Sequence, residues 1–481
     1  MAETRPNILF LMTDQMQERV LDPAHPCQTP NFDRLMARGV RFERGYTPNA
    51  VCSPARASLM TGLLPHSHAV VTVTHCTFDD ECNLRTDAPH WAQKLDKAGY
   101  RTGYFGKWHV ERTEELEGFG WQVNGAMGSE MWRERARDLR EQHAPTEFSL
   151  RHDISGPEGY RDALLYGVHE QAPEGRGMGV TTSLAAEFLE DATHSSQPWC
   201  CFASVTEPHD PYVTSREFYE RYDVDAMPVQ PNWDDDLADR PGLYRKAQKV
   251  FADMTERQKK EAAACYYASI TEIDEQFGKL IDQVEAAGQL DNTIVVLTAD
   301  HGDFLGAHGL YQKNVGAFEE AYGVPMVFAG PGCAQGATSD ARVGLQDVCP
   351  TLLELAGVEA IDVPDSVSVA PALADPVVES PNFQHGYAEY YGVRYWWTQR
   401  IIWDGDWKLV WNGFDFDELY NLADDPYELR NLADDPAHAD RLRAMMAQAW
   451  KVVRDTDDHP LLGSQYAILR LAPYGPGIAE Q

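Results

Sequence analysis

"NILFLMTD", residues 7–14, is an almost unbroken apolar run that stops at an aspartate. A run of this length without polar alternation reads as a β-strand covered on both faces, the habit of strands in α/β sheets. It is too short for a membrane span, which needs roughly 18 consecutive apolar residues, and it lacks the small-residue cleavage site of a secretory leader. The expectation is therefore a soluble, cytoplasmic protein with no membrane partner.

The neighbouring segments continue that pattern. "TPNFDRLMARG" (29–39) predicts a helix with Thr29 as cap and Gly39 as stop, and "VRFERGYT" (40–47) a second strand. "HWAQKLDKAGYRTGYFGKWH" (90–109) repeats helix, glycine turn and strand, and 256–288 is the longest helical pattern. It leads into a second buried β run, "NTIVVLTADHG" (292–302). "VPMVFAGPG" (324–332) adds a strand and "VGLQDVCPTLLELAG" (343–357) a helix. Alternation of this kind predicts an α/β wound sheet. After about residue 375 aromatic and β-branched residues between "DGD" and "NGF" turns predict an antiparallel meander over 385–422, closed by a helix over 435–456. The expected organisation is a catalytic domain over 1–375 and a small α+β domain over 376–481.

Composition narrows the function. Forty-one basic residues against 75 acidic ones leave a net charge of −34, which argues against nucleic acid or an anionic membrane as partner. The nine cysteines form no CxxC pair, so neither a zinc knuckle nor a disulfide framework is indicated. The two buried β runs end in Asp14 and in Asp300-His301, at the sheet edge where α/β folds place their ligands. Either aspartate alone would serve as a turn cap. Two carboxylates brought together with a histidine favour a divalent cation between them.

"VCSPARASLMTG" (51–62) carries the sharpest signal. A phosphatase-type cysteine loop would place arginine where Ser58 stands, so that reading fails. The string Cys52, Pro54, Arg56, then Thr61 and Gly62 resembles the CxPxR signature of the type I, formylglycine-dependent sulfatases of the alkaline phosphatase superfamily. The resemblance covers most of the chain. It implies an alkaline-phosphatase-like mixed sheet sandwiched by helices, with a smaller C-terminal domain on an antiparallel sheet. It also implies oxidation of Cys52 to formylglycine by a formylglycine-generating enzyme, the hydrated aldehyde being the nucleophile.

Residue by residue, Asp14 matches the family's first metal aspartate and Asp300 with His301 its late metal pair. Lys107 and His109 in "GKWH" match the lysine and histidine that line the site. His209 in "TEPHDPY" matches the histidine near the leaving group, and Lys313 in "GLYQKNVGAFEE" the late sulfate-contacting lysine. "DELYNLADDPYELRNL" is similar to the family's C-terminal signature. The resemblance thus assigns Cys52, Arg56, Lys107, His109, His209 and Lys313 to catalysis, with Arg56 holding the formylglycine hydroxyl. It assigns Asp14, Gln15, Cys52, Asp300 and His301 to a divalent cation, calcium first, with manganese or magnesium as alternatives.

Gln15 departs from the pair of adjacent aspartates that many sulfatases carry, and it is either a neutral ligand or one step removed from the cation. An Asp-Gln start with an Asp-His pair is similar to choline sulfatases and phosphonate monoester hydrolases. The latter lack the residues that Lys107 and His109 supply, which tilts the expectation toward sulfate esters of a carbohydrate or aryl alcohol. A phosphonate monoester or phosphodiester hydrolase with side activity on sulfates is the alternative. A catalytically inert binding protein on this fold is a third reading, at odds with the near-complete residue set.

His75, His308 and Arg394 are candidate substrate contacts, while His66 and His68 have no assigned role. Arg394 lies in an aromatic run that serves equally as meander core. The apolar end, 461–481, is expected to dock on a second subunit, giving a homo-oligomer, a dimer or tetramer.

Overall fold

The computed structural model describes residues 5–156, 158–313, 315–393, 396–463 and 471–480. Residues 7–14 form strand β1 (Asn7–Asp14), buried along its whole length. The remaining strands are β2 (Gly39–Tyr46), β3 (Arg101–Gly106), β4 (Val123–Ala126), β5 (Leu150–Ile154), β6 (Ala163–His169), β7 (Trp199–Pro208), β8 (Tyr212–Ser215), β9 (Thr293–Ala299), β10 (Met326–Ala329), β11 (Ala337–Gly344), β12 (His385–Tyr390), β13 (Gln399–Asp404), β14 (Trp407–Asn412) and β15 (Glu418–Asn421).

Eight of them build one sheet in the order β11-β2-β10-β9-β1-β7-β3-β4. Only β10 runs against its neighbours, so the sheet is mixed but mainly parallel. Helices cover it in two groups. Glu256–Ala286 and Gly177–Thr193 pack together against β7, and Cys52–Thr61, Trp91–Lys97 and Val348–Leu355 pack on one another.

The register of the central strands positions the chemistry. β1 and β9 are parallel with Thr13 opposite Ala299, so Asp14 and Asp300, each one residue further on, leave the sheet side by side. The segment after β2 turns at Val51, which is extended, into the helix Cys52–Thr61, and all ten of that helix's residues are buried. Gly62 ends it with φ 75, a left-handed backbone that glycine adopts without strain, its N–H returning to the Ser58 carbonyl. Cys52 therefore sits in the first turn of a rigid, enclosed helix.

Strands β12 to β15 form the expected antiparallel meander. The "DGD" turn works through Gly405 at φ 58, which brings Asp404 opposite Trp407. The closing helix Ala439–Asp455 lays Met445, Met446, Ala449, Trp450 and Val453 on one face of this sheet. Ala388, Ile401 and Trp403 meet Phe318 and Tyr322 of the catalytic layer from the other. Lys408, fully buried, bridges Glu319 and Glu428 at 2.8 Å each, and Trp403 Nε1 donates to Glu319.

Several expectations change in detail. Thr29 precedes its helix but makes no capping bond, and the helix ends at Met36, with Gly39 opening β2 instead of terminating the helix. The 343–357 helix begins only at Val348, because Val343 and Gly344 finish β11. The three-stranded sheet β5-β6-β8 and the central strand β7 were not anticipated. Of the tail, residues 471–480 lie on the chain's own closing helix, where Ile478 packs and Tyr474 O accepts from Trp450 Nε1 at 2.8 Å.

Lys408→Ala would leave the buried Glu428 and the partly buried Glu319 without their cation, a loss of about 3–5 kcal/mol for a broken buried pair. Chemical denaturation should show that loss while Lys408→Ala keeps a native circular-dichroism spectrum; unchanged stability would contradict the role given to this pair.

Candidate active site

Asp14, Cys52, Asp300 and His301 each offer one ligand atom, and the four atoms lie within 4.8 Å of one another. All four side chains are buried. Cys52 Sγ is 3.3 Å from His301 Nε2 and 3.9 Å from Asp14 Oδ1. His301 Nδ1 is 2.9 Å from the Gly302 carbonyl, which assigns its proton there and leaves Nε2 as a lone-pair donor facing both carboxylates at 3.6 Å.

Positive groups ring this cluster. Arg56 donates from Nε to Asp300 Oδ2 at 2.8 Å and from Nη1 to Ser204 Oγ and the Lys107 carbonyl, also at 2.8 Å. Its Nη2 lies 3.6 Å from Asp14 Oδ2. Arg56 thus holds Asp300 by a hydrogen bond and Asp14 by charge alone, its remaining hydrogen bonds going to the frame and Nη2 having no hydrogen-bond partner among the described residues. Lys107 Nζ pairs with Asp14 Oδ2. Lys313 Nζ meets His209 Nε2 and donates to Gln15 Oε1 at 2.7 Å. Gln15 is held at its other end too, Nε2 donating to Asp303 and, at 3.0 Å, to Asp210.

The charge pattern shifts the titrations. Burial alone would raise the Asp14 carboxyl, and Cys52 adds to that, but Lys107, His209 and Arg56 together hold it below the usual carboxylate range. Burial also opposes ionisation of Cys52, yet Lys107, Lys313 and His301, with a hydrogen bond from His109, pull the thiol well below its ordinary value. Burial lowers His109. His209 is raised, since Asp14 and its other anionic neighbours outweigh burial and Lys313.

A cavity of about 450 Å³ opens over Asp14, Lys107, His109 and His209, with Trp108, Glu114, Arg176 and Glu207 on its walls. His109 takes a left-handed backbone, φ 62, and its Nε2 lies 3.0 Å from His75 Nδ1 with the two rings stacked. His75 is thereby brought to the site through His109.

His308 is not part of it. Its ring is fully buried, stacked on Phe318, with Nδ1 on Asp235 at 2.7 Å and Nε2 on Asn232 at 3.0 Å, so it has no face for a substrate. Arg394 falls outside the described residues. His66 and His68 are structural. His66 is wedged between Glu389 and the Thr456 carbonyl, and although burial lowers its pKa, Glu389 lifts it to about 9. His68 binds Ser58 at 3.0 Å and burial drops it to about 3. The sequence reading missed Ser204, Asp210, Tyr212 and Asp303; Asp303, two residues past His301, and Asp210 and Tyr212, inside the quoted "TEPHDPY", carried a local signal, whereas Ser204 did not.

The sulfatase family model matches residues 6–358, spanning the cluster, the cavity and both strand ends. The chain belongs to the sulfatase family.

It is therefore a sulfuric ester hydrolase of the alkaline phosphatase superfamily. The model for the C-terminal region of N-sulphoglucosamine sulphohydrolase matches residues 306–455. A choline-sulfatase of Rhizobium meliloti is 32% identical over 460 residues, covering 89% of this chain and 82% of that one. An N-acetylglucosamine-6-O-sulfatase of Bacteroides thetaiotaomicron is 26% identical, covering 94% and 88%. Among solved structures, a phosphonate monoester hydrolase from Silicibacter pomeroyi superposes with a TM-score of 0.76 at 24% identity, covering 95% and 97%, a likeness of fold.

The sulfatase's depressed Cys52 pKa has a spectroscopic consequence. In unconverted protein stripped of metal, thiolate absorbance near neutral pH should belong to Cys52, be lost in Cys52→Ser and shift to higher pH in Lys107→Met. Identical ultraviolet spectra for wild type and Cys52→Ser at pH 7 would contradict the electrostatics described.

Proposed function

We propose that this sulfatase hydrolyses the sulfate ester of a carbohydrate or aryl alcohol, with residue 52 as formylglycine and a divalent cation at Asp14, Gln15, Asp300 and His301. The observation that carries the reading is the Cys52 side chain lying against that buried cluster. Two carboxylates and one free imidazole nitrogen, with an amide nearby, are an oxygen-rich donor set that suits a hard cation, calcium first and manganese or magnesium next. When bound, the cation supplies Lewis acidity toward a sulfate oxygen and the hydroxyls of residue 52.

The chain's own groups do the rest. Lys107 and Lys313 offer ammonium donors to the sulfate oxygens, charge that matters most as the leaving oxygen turns negative. His209, raised and in contact with Lys313, delivers the proton to the departing alkoxide. His109, kept neutral by burial and so free to accept a proton, takes one from the second hydroxyl of the sulfated residue 52. That alkoxide collapses to the aldehyde and expels sulfate by breaking the carbon–oxygen bond of residue 52, so the second step needs no water attack at sulfur, and water then re-forms the hydrate. A serine at 52 has no second hydroxyl and stops halfway.

A phosphonate or phosphodiester hydrolase reading has Gln15 and the shared fold in its favour. Lys107 and His109 at the cavity favour sulfate. We further propose that the chain acts in the cytoplasm, is matured there by a formylglycine-generating enzyme, and divides functionally near residue 375, the C-terminal part supporting a homo-oligomer.

On 4-nitrophenyl sulfate, wild type should turn over many times, lose activity on exhaustive chelation and regain it with calcium or manganese. Cys52→Ser should stop after one event and retain sulfate covalently, seen by intact mass. Multiple turnover by Cys52→Ser, or faster cleavage of a phenylphosphonate ester than of the sulfate, would overturn the proposal.

A further inference from the structure

The amide of Gln15 is a two-ended group: its oxygen can serve a cation and its nitrogen cannot. Which end faces the cluster is decided by groups on the far side. Nε2 lies against Asp303 Oδ2 and 3.0 Å from Asp210 Oδ1, while Oε1 accepts from Lys313 Nζ at 2.7 Å. Turning the amide over would set its oxygen against two carboxylates and its NH2 against an ammonium, so both ends oppose the turn.

Asp303 is itself immobile. It is fully buried, Oδ1 accepts from the Leu305 N–H at 2.6 Å, and the Tyr212 hydroxyl donates to both oxygens at 2.8 and 2.9 Å. The Gln15 backbone is equally constrained, with φ 66, its N–H on Asp300 Oδ1 at 3.1 Å and its carbonyl on Tyr266 Oη at 2.6 Å.

We propose that Asp303 is a positioning residue of the metal centre: its carboxyl, which accepts from Leu305, Tyr212 and Gln15, locks the Gln15 amide with nitrogen on Asp303 and oxygen on Lys313, leaving that oxygen's second lone pair for the cation. The proposal rests on the cation site described above. It also gives a physical reason for glutamine at position 15. An aspartate there would add a third carboxylate beside Asp303 and Asp210, whereas an amide answers both with N–H groups.

Asp303→Asn is the informative change because it nearly preserves shape. An asparagine at 303 must either point NH2 at the Leu305 N–H, donor against donor, or point it at Gln15 and invite that amide to turn. Calcium affinity of the full-length, metal-stripped chain, measured by isothermal titration calorimetry, should fall by about 10–100-fold, the usual cost of losing a group that orients a ligand. A merely structural role would lower the variant's melting temperature equally in chelator and in calcium, whereas a positioning role predicts a larger loss in calcium than in chelator.

If Asp303→Asn does not fold, Tyr212→Phe leaves the carboxylate in place but frees it, and should weaken calcium binding by several-fold. Wild-type affinity in a folded Asp303→Asn, or in Tyr212→Phe where the first variant fails, overturns the proposal while leaving the sulfatase reading intact. A wild-type chain that takes up neither calcium nor manganese removes both the proposal and the cation site on which it rests.

Discussion

Two aspartates, Asp14 and Asp300, leave adjacent parallel strands at the same level and are sealed from water. Each buried charge costs on the order of several kcal/mol after relaxation, and side by side they repel. The surrounding structure answers that constraint. Arg56 reaches Asp300 through Nε and Asp14 through Nη2, Lys107 closes on Asp14, and His301 turns a lone pair toward both. A cation bound among them completes the balance and turns a liability of folding into a site for chemistry.

The same field governs residue 52. Because it begins a fully buried helix, its side chain cannot move away from the carboxylates, and the lysines that offset them also favour an anion there. A site tuned this way suits an oxyanion on residue 52 and a sulfate monoanion above it. The C-terminal sheet contributes at one remove. Lys408 and Trp403 grip Glu319, shortly after Lys313 in the chain, so the segment carrying the late lysine is tied down by the meander. Glu428, within the C-terminal signature, joins that grip through Lys408.

The central strands were legible because burial on both faces leaves an unbroken apolar run, and the side chains at their ends follow from where the run stops. The Cys52 signature was legible because its spacing is specific. Strand β7 was not, since "WCCFASVTEP" mixes small and polar residues that only its position between β1 and β3 makes strand-like. His308 misled because proximity in sequence to His301 says nothing of a left-handed turn, φ 52, that swings its ring onto Phe318. The clasp on Gln15 was invisible for another reason: Asp210 and Asp303 reach it from two segments far apart in the chain, with Tyr212 bonding Asp303, and no local pattern records that meeting.

Anomalous scattering from crystals grown with calcium or manganese tests the central claim most directly. The account predicts a single strong peak in contact with the Asp14 and Asp300 carboxylates and His301 Nε2, calcium–oxygen distances of about 2.3–2.6 Å, and residue 52 beside it. A peak bound elsewhere, with Lys107 still closed on an empty Asp14–Asp300 pair, would contradict it.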